Sequence, residues 1–544
     1  MHRRHEAGEP SAGALKLIER PLPSLAISLQ QHGRATLEMI NQPESITEFH
    51  RTSTGIGGLD DILWGGLPTS HLFLIEGEPG TGKTTLGLQF LLNGAQNGQK
   101  VLYITLSESE REIRQVARSH GWDIDKVSIL EFTPREDSLR PEDQYSAFYP
   151  SEIELQDTTK TILQEVGRIQ PQRVVFDSLS EIRLLARDQL RYRRQILALK
   201  DYFSKRSCTV VLLDDLTGQA DDQQLRTLAH GVLELQMKAR DFGISRRRMR
   251  VVKLRGSFFR EGYHDYRIVK GGVTVFPRLI SAEHKEDFHQ EFVSCGVNGV
   301  DKLWGGGMDR STSTLVLGPA GVGKSSISMA YACTAAVHDG AAHVFLFDEG
   351  VGPAVRRATS LGLNASRLCD EGKLIVEQID PAELSPGEFT HRVRRTVEAG
   401  RVKLVVIDSL NGLLAAMPGE DYLILHMHEL LSYLSRTGIT VILVLSQAGI
   451  LGSGMSSPVD LSYLADNILM LRYFEAGGEV RKAVSVVKRR GGEHERTIRE
   501  LDFRGSRIAI GQPLAEFRGV LTGIPEFVGE TSRLQEAPSG TSQA

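Results

Sequence analysis

The sequence lacks several features that would assign it to common classes of protein. Its 544 residues contain no signal-peptide pattern and no apolar run near the roughly 18 residues of a membrane-spanning helix, so we expect a cytoplasmic protein without a membrane role. The four cysteines are scattered without metal-ligand spacing, which is typical of buried or idle thiols. The formal net charge is only −4, and such a balance argues against a field that attracts nucleic acid or anionic membrane.

The sequence does contain a phosphate-binding signature, and it contains it twice. Gly77–Thr84 (GEPGTGKT) and Gly318–Ser325 (GPAGVGKS) both match G-x-x-x-x-G-K-[ST]. In this signature the backbone N–H groups of a glycine-rich loop surround the phosphates, the lysine contacts the outer phosphates, and the Ser/Thr hydroxyl holds Mg²⁺. Each copy follows an apolar run and precedes a helical pattern, which indicates a strand–loop–helix site. We therefore predict that the chain binds two nucleoside triphosphates.

The residues predicted to bind the nucleotide include the glycines, the lysine and the small residues beside them in each loop. In the first copy they are Gly77, Gly80, Thr81, Gly82, Lys83, Thr84 and Thr85; in the second they are Gly318, Gly321, Val322, Gly323, Lys324, Ser325 and Ser326.

The two loops belong to a longer internal repeat. Lys83 and Lys324 are 241 residues apart (324 − 83), and so are Glu108 and Glu349 (349 − 108). The matching motifs occur in the same order in both copies, and only a few residues are lost from the loops between them. This pattern indicates a duplicated domain of about 240 residues. Apolar β-branched runs alternate with helical patterns in each copy, which predicts an α/β fold: tandem duplicated P-loop domains, each a mostly parallel sheet flanked by helices.

We predict five segments from composition. Residues 1–45 form a flexible extension, 46–281 the first ATPase domain, 282–291 a linker, 292–527 the second ATPase domain, and 528–544 a disordered tail.

Several carboxylates are candidates for holding metal and activating water. Asp177 and Asp408 each end an apolar run, where an acid beside a P-loop partners Mg²⁺ together with Thr84 or Ser325; the alternative is a buried acid that caps the next helix. Glu108 and the pair Asp348 and Glu349 follow the next strand and are the candidate catalytic bases. The alternative for Glu108 is a solvated loop charge.

The sequence resembles the KaiC family of RecA-like ATPases, known from the cyanobacterial clock, over roughly residues 46–527. TGIGGLDDILWGGLP before the first P-loop, KLRGSFFREGY in the first copy and VVKRRGGEHERTIREL in the second carry the resemblance. It implies ATP and Mg²⁺ as ligands, ATP bound between neighbouring subunits, and an ATP-dependent homo-oligomeric ring of two tiers, expected to be a hexamer.

The resemblance also assigns roles to individual positions. Asp348 and Glu349 match the family's catalytic acid pair, while the first copy offers Ser107 and Glu108. The family's K-x-R-G segment contacts the nucleotide of the neighbouring subunit, and the matching residues are Lys253, Leu254, Arg255, Lys488, Arg490 and His494. Ser462 matches a phosphorylated serine, whereas Tyr463 replaces the adjacent threonine. A serine/threonine autokinase and a KaiB-like protein partner follow only from this resemblance.

Three classes of function are compatible with the sequence. The first is a KaiC-like ATPase and autokinase that acts as a nucleotide-dependent regulatory switch. The second is a RecA-type DNA-dependent ATPase in recombination or repair; the acidic balance and the lack of a basic, aromatic-laced loop argue against nucleic-acid binding. The third is a nucleotide-gated signalling scaffold with little turnover.

Overall fold

The computed structural model describes residues 50–132, 150–186, 188–216, 225–240, 242–283, 291–415, 417, 423–447, 463–503, 505–522 and 525–529. We call the described residues up to Glu283 the first half and those from Glu291 the second half. Ser462 and the predicted N-terminal extension lie outside the described residues. Within those ranges, no helix has the length and apolar character needed to span a bilayer.

The first half is built around a nine-stranded sheet. Its strands are β3 (Leu72–Gly77), β4 (Val101–Thr105), β5 (Ser128–Glu131), β6 (Arg173–Asp177), β7 (Thr209–Asp215), β8 (Gly231–Lys238), β9 (Arg246–Leu254), β10 (His264–Val269) and β11 (Gly272–Phe276). They lie in the order β11-β10-β9-β8-β3-β7-β6-β4-β5. The strands from β8 to β5 in this order are parallel, and β9–β11 extend the sheet as an antiparallel meander.

Helices cover both faces of this sheet, because successive strand residues point to opposite sides. Phe73 and Ile75 pack in one apolar cluster, and Leu72 and Leu74 pack in the other. The helices are α1 (Gly57–Ile62), α2 (Lys83–Gln96), α3 (Glu110–Ser119), α4 (Pro150–Ile169), α5 (Leu179–Ala186) and α6 (Gln189–Ser204). Residues of α2 and α3 join the cluster of Phe73, and residues of α4–α6 join that of Leu72.

The second half repeats this architecture. Its strands are β14 (Ser313–Gly318), β15 (Ala341–Leu346), β16 (Leu374–Gln378), β17 (Val402–Asp408), β18 (Thr440–Ser446), β19 (Asn467–Ala476), β20 (Glu479–Arg489), β21 (Arg499–Asp502) and β22 (Ala509–Pro513). Their order, β16-β15-β17-β18-β14-β19-β20-β21-β22, again places an antiparallel extension beside a parallel sheet. The predicted tandem α/β fold is confirmed.

The remaining described elements are short strands and the helices of the second half. The strands are β1 (Arg51–Thr52), β2 (Leu67–Pro68), β12 (Phe292–Val293), β13 (Met308–Asp309), β23 (Phe517–Arg518) and β24 (Glu526–Phe527). The helices are α7 (Asn298–Leu303), α8 (Lys324–His338), α9 (Val351–Ser360), α10 (Ala365–Asp370), α11 (Pro386–Glu398), α12 (Leu410–Ala415) and α13 (Leu423–Arg436).

Strand β10 connects the halves through the start of α11. The amide of Gly387 donates to Asp265 Oδ2 at 2.8 Å, and the Arg267 guanidinium lies 3.0 Å from Glu388 Oε1. The Gly387 amide and the Glu388 carboxylate lie in the first turn of a helix whose N-cap, Ser385, accepts from the Glu388 amide. A charged pair and a backbone bond therefore tie the first sheet to the second half.

Candidate nucleotide-binding sites

The first P-loop joins β3 to α2 and bends sharply just before the helix begins. Gly80 and Gly82 have φ values of 82° and 94°, in the left-handed region that side chains disfavour. A Cβ on Gly82 would also clash with Ile268. The Tyr266 hydroxyl donates to the carbonyl of Thr81 at 2.7 Å and holds the loop from β10. The loop presents its amides at the N-terminus of a 14-residue helix, the arrangement that binds phosphate.

Thr84 and Asp177 lie together beside this loop. Thr84 Oγ1 donates to Asp177 Oδ2 at 2.8 Å, and Asp177 is almost fully buried at the end of β6. Burial raises the pKa of Asp177, while hydrogen bonds from Tyr103 and Thr84 and the charge of Lys83 oppose that rise. A hydroxyl and a carboxylate are hard oxygen ligands, so these residues fit Mg²⁺. When bound, Mg²⁺ would neutralise charge on the outer phosphates.

Glu108 follows β4 and faces the same site. Its Oε2 atom is buried and has no hydrogen-bond partner among the described residues. Burial first, and then the carboxylates of Asp177 and Glu112, raise the pKa of Glu108 above its usual value. A carboxylate with an unsatisfied oxygen beside a phosphate loop can orient water and accept a proton.

Lys83 is held by groups of its own half. Its Nζ donates to the carbonyl of Gly77 at 2.7 Å and lies 2.8 Å from Asp215 Oδ1 at the end of β7. A phosphate must compete with this carboxylate for the lysine, because one ammonium has only three N–H donors.

The second P-loop has the same backbone shape. Gly321 and Gly323 have φ values of 75° and 116°, and a Cβ on Gly323 would clash with Phe503. Lys324 Nζ donates to the carbonyl of Pro319 at 2.7 Å, and burial lowers the pKa of Lys324 to about 8 against the opposing effect of Asp408. Burial raises the pKa of Asp408, and a hydrogen bond from Ser325 acts in the opposite direction. Ser325 and Asp408 thus form a second pair of oxygen ligands suited to Mg²⁺.

The acid pair of the second half is bound to neighbours within the chain. Ser409 Oγ donates to Asp348 Oδ2 in a short hydrogen bond. Glu349 Oε1 lies 2.5 Å from the guanidinium of Arg357, two turns along α9. Both carboxylates are therefore oriented by side chains, in contrast to Glu108.

The K-x-R-G residues of the first half do not lie at the end of the strands that carries their own P-loop. Lys253 pairs with Val232, which lies level with Leu74 in β3. The P-loop begins at Gly77, three residues or about 10 Å further along that strand. Lys253 Nζ bonds the Arg226 carbonyl, and the exposed Arg255 bonds the Thr227 carbonyl at 2.8 Å. Leu254 is buried between them.

The second half places the matching residues in the same way. Lys488 pairs with Ile468, which lies beside Leu315 near the start of β14. Lys488 Nζ donates to the Ala465 carbonyl at 2.7 Å. Arg490 is exposed and lies 2.8 Å from Asp466, and His494 is half-buried. These cations face away from the phosphate loop of their own half.

The structure thus brings together, in each half, the P-loop lysine, the metal-side pair and the following acid. Four contributors were missed from the sequence: Tyr103, Asp215, Arg357 and Ser409. Ser409 had a signal, because a serine follows the strand-end aspartate in both halves.

The comparisons with known proteins agree with this geometry. A family model described as the KaiC ATPase matches residues 52–280 and again 293–515. The circadian clock protein KaiC3 of Synechocystis sp. is 24% identical over 493 residues, which cover 89% of this chain and 96% of that protein. The circadian clock oscillator protein KaiC of Acaryochloris marina is 26% identical over 495 residues, 88% of this chain and 92% of that protein. The chain belongs to the KaiC family of ATPases.

Proposed function

We propose that each half binds Mg-ATP and hydrolyses it, and that the protein acts as a nucleotide-dependent regulatory switch. The observation that carries the proposal is the repeated grouping of lysine, hydroxyl–aspartate pair and acid around each phosphate loop. In the first site Glu108 would orient and deprotonate the attacking water. In the second site Asp348 and Glu349 would serve this role.

We propose the domain limits predicted from the sequence, 46–281 and 292–527 with a linker at 282–291. The two nine-stranded sheets support these limits. In the sequence, the strands of the first sheet begin at Leu72 and end at Phe276, and those of the second begin at Ser313 and end at Pro513. The cytoplasmic location stays a prediction.

A second copy of the chain would complete each site. Lys253 and Arg255 lie away from their own P-loop, which supports the proposal that they contact a phosphate on another subunit. Lys488 and Arg490 would serve the second tier in the same way. A closed ring satisfies this head-to-tail arrangement, and the family resemblance favours a hexamer. Nucleotide state would then govern the binding of a KaiB-like protein partner.

The second site is also proposed to phosphorylate Ser462 of a neighbouring subunit. Glu349 would take the hydroxyl proton as the bond from Ser462 Oγ to the γ-phosphorus forms. The bond from that phosphorus to the β–γ bridging oxygen breaks, and ADP leaves, while Lys324 stabilises the transferring group. Tyr463, which is 59% exposed, would be a poor acceptor because its ring holds the oxygen several ångströms further out.

Native mass measurement with and without Mg-ATP, followed by incubation with labelled ATP and peptide mapping, tests these steps. The expected results are an ATP-dependent ring, phosphate release, and label on Ser462 that is lost in Glu349→Gln but kept in Glu108→Gln. A monomer at micromolar concentration with saturating Mg-ATP would contradict the ring. Phosphate release without label in peptides covering 453–467 would leave a paired ATPase and remove the kinase. Turnover that requires DNA would favour the recombination-type alternative.

A further inference from the structure

Among the described residues, a buried tyrosine hydroxyl bonds the metal-side carboxylate of the first site and not that of the second. Tyr103 is fully buried in β4, and its hydroxyl makes a short hydrogen bond to Asp177 Oδ2. The same oxygen accepts from Thr84 Oγ1 at 2.8 Å. Two hydroxyls therefore converge on one carboxylate oxygen, one from the helix after the P-loop and one from a strand.

The sheet fixes where this hydroxyl lies. β4 and β6 are parallel neighbours, with Tyr103 beside Val175 and Thr105 beside Asp177. The two strands thus hold the tyrosine ring against the strand end from which the carboxylate projects. Strands position a side chain more firmly than loops do, and Tyr103 sits in an otherwise apolar core.

The second half supplies an internal comparison. Val344 occupies the position of Tyr103, 241 residues later, and is equally buried in β15. Asp408 therefore lacks a hydroxyl from this position. Two explanations for Tyr103 are to be tested: a core residue that needs any acceptor for its hydroxyl, or a residue that orients the acid.

We propose that Tyr103 is a positioning residue for Mg²⁺ binding at the first site, an inference that rests on the proposed assignment of that site. With Oδ2 engaged by two donors, the plane of the Asp177 carboxylate is fixed, and Asp177 would be oriented to hold Mg²⁺ together with Thr84. Preorganised ligands of this kind strengthen metal binding through their outer partners. The second site would bind Mg²⁺ without a hydroxyl from the matching strand position.

The test uses Tyr103→Phe in the full chain, in a Lys324→Ala background that leaves only the first site. The Mg²⁺ concentration for half-maximal binding of a fluorescent ATP analogue is expected to rise about ten-fold, the low end of the range for loss of an outer-shell partner. Binding of the analogue in EDTA is expected to stay unchanged. Tyr202→Phe is the matched control, because it removes a hydroxyl bonded to the Leu163 carbonyl at 2.7 Å, away from the P-loop.

The possible outcomes test the role of Tyr103 and the assignment of the first site separately. An unchanged Mg²⁺ requirement would overturn the role of Tyr103. An equal loss of binding in EDTA would also overturn it, since that result indicates general disruption of the site. Failure of the Lys324→Ala parent to bind the analogue at all would instead refute the first site itself. In a Lys83→Ala background, Tyr103→Phe is expected to leave the Mg²⁺ requirement of the second site unaltered.

Discussion

The two nucleotide sites share their reactive groups and differ in what holds them. In the first site Lys83 lies against Asp215, and Asp177 accepts from Tyr103. In the second, Ser446 occupies the position that corresponds to Asp215, and Arg357 binds Glu349. After duplication, the groups that would touch phosphate and metal were kept, whereas their supporting partners diverged. We therefore expect the two sites to bind the same ligand and to differ in how fast they release or hydrolyse it.

The same contrast extends to the cations that would serve a neighbour. Arg490 forms an ion pair with Asp466. In the first half, His230 occupies the position that corresponds to Asp466, beside Arg255. Burial and the nearby charges of His71, Arg255 and Lys200 lower the pKa of His230 to about 4, so its ring is neutral at pH 7. Arg255 is exposed and has no carboxylate at this position. We therefore expect Arg255 to bind phosphate across an interface more readily than Arg490 does.

Removing the catalytic acids is expected to have the largest effect on turnover. Glu108→Gln in a Lys324→Ala background should lower phosphate release about 10²–10⁴-fold, because the amide cannot accept the proton of water. Glu349→Gln in Lys83→Ala should lower it less, since Asp348 remains. Phosphate release in single turnover measures both. Glu110→Gln, at the first residue of α3, is the control. Equal losses at the two sites would contradict the proposed difference between a site with one carboxylate and a site with two.

Removing the P-loop lysines comes next. Lys83→Ala and Lys324→Ala each delete charge-assisted contacts worth about 1.5–3 kcal/mol, equivalent to about 10–150-fold in affinity. Each single variant should retain one nucleotide per chain and the double variant none, as counted by equilibrium dialysis. Lys100→Ala serves as a control for loss of an exposed positive charge. Wild-type hydrolysis by the double variant would show that both sites have been misplaced.

The pair formed by Lys83 and Asp215 allows a smaller and reciprocal test. Asp215→Asn should tighten ATP binding at the first site by up to about five-fold, because a partly exposed ion pair contributes under about 1 kcal/mol. Ser446→Asp should weaken the second site by a similar factor. Titration calorimetry in the single-site backgrounds measures both changes, with Asp201→Asn as the surface control. Weaker binding in Asp215→Asn would mean that the carboxylate supports the lysine instead of competing for it.

The smallest expected effect concerns Arg357. Arg357→Val, which copies Val116 of the first half, frees Glu349 from a half-exposed ion pair and should raise second-site turnover about two- to three-fold. Arg356→Val removes the same charge from the neighbouring, exposed position of α9 and should leave turnover unchanged. If both variants behave alike, the effect is one of net charge and the ion pair has no role.

The fold and the reactive groups could be predicted because their signals are local. The P-loop signature, the apolar runs that end at Asp177 and Asp408, and the constant spacing of 241 residues between loops all lie in the sequence itself. Tyr103 and Asp215 could not be predicted as supporting partners, because their contacts depend on which strands become neighbours. Tyr103 meets Asp177 across 74 residues, and Lys83 meets Asp215 from another strand end. Only strand order decides such contacts.

The location of the K-x-R-G cations needed the structure as well. The resemblance implied that Lys253 and Arg255 contact another subunit, but not why they fail to contact their own. The antiparallel course of β9 supplies the reason, since it returns the chain to the edge of the sheet opposite the P-loop. The spacing of the K-x-R-G motif along the sequence does not show whether the motif lies on an antiparallel strand or in a loop.

Strand β10 gives the first P-loop a direct mechanical connection to the second half. Tyr266 bonds the loop carbonyl of Thr81, and its chain neighbours Asp265 and Arg267 hold the first turn of α11. These three residues are consecutive in one strand, so we expect a displacement at one contact to be transmitted to the other. The amide of Gly387 then becomes a reporter of first-site occupancy. Its hydrogen exchange is expected to slow when the Lys324→Ala variant binds ATP. Unaltered exchange would show that strand β10 does not transmit nucleotide binding to α11.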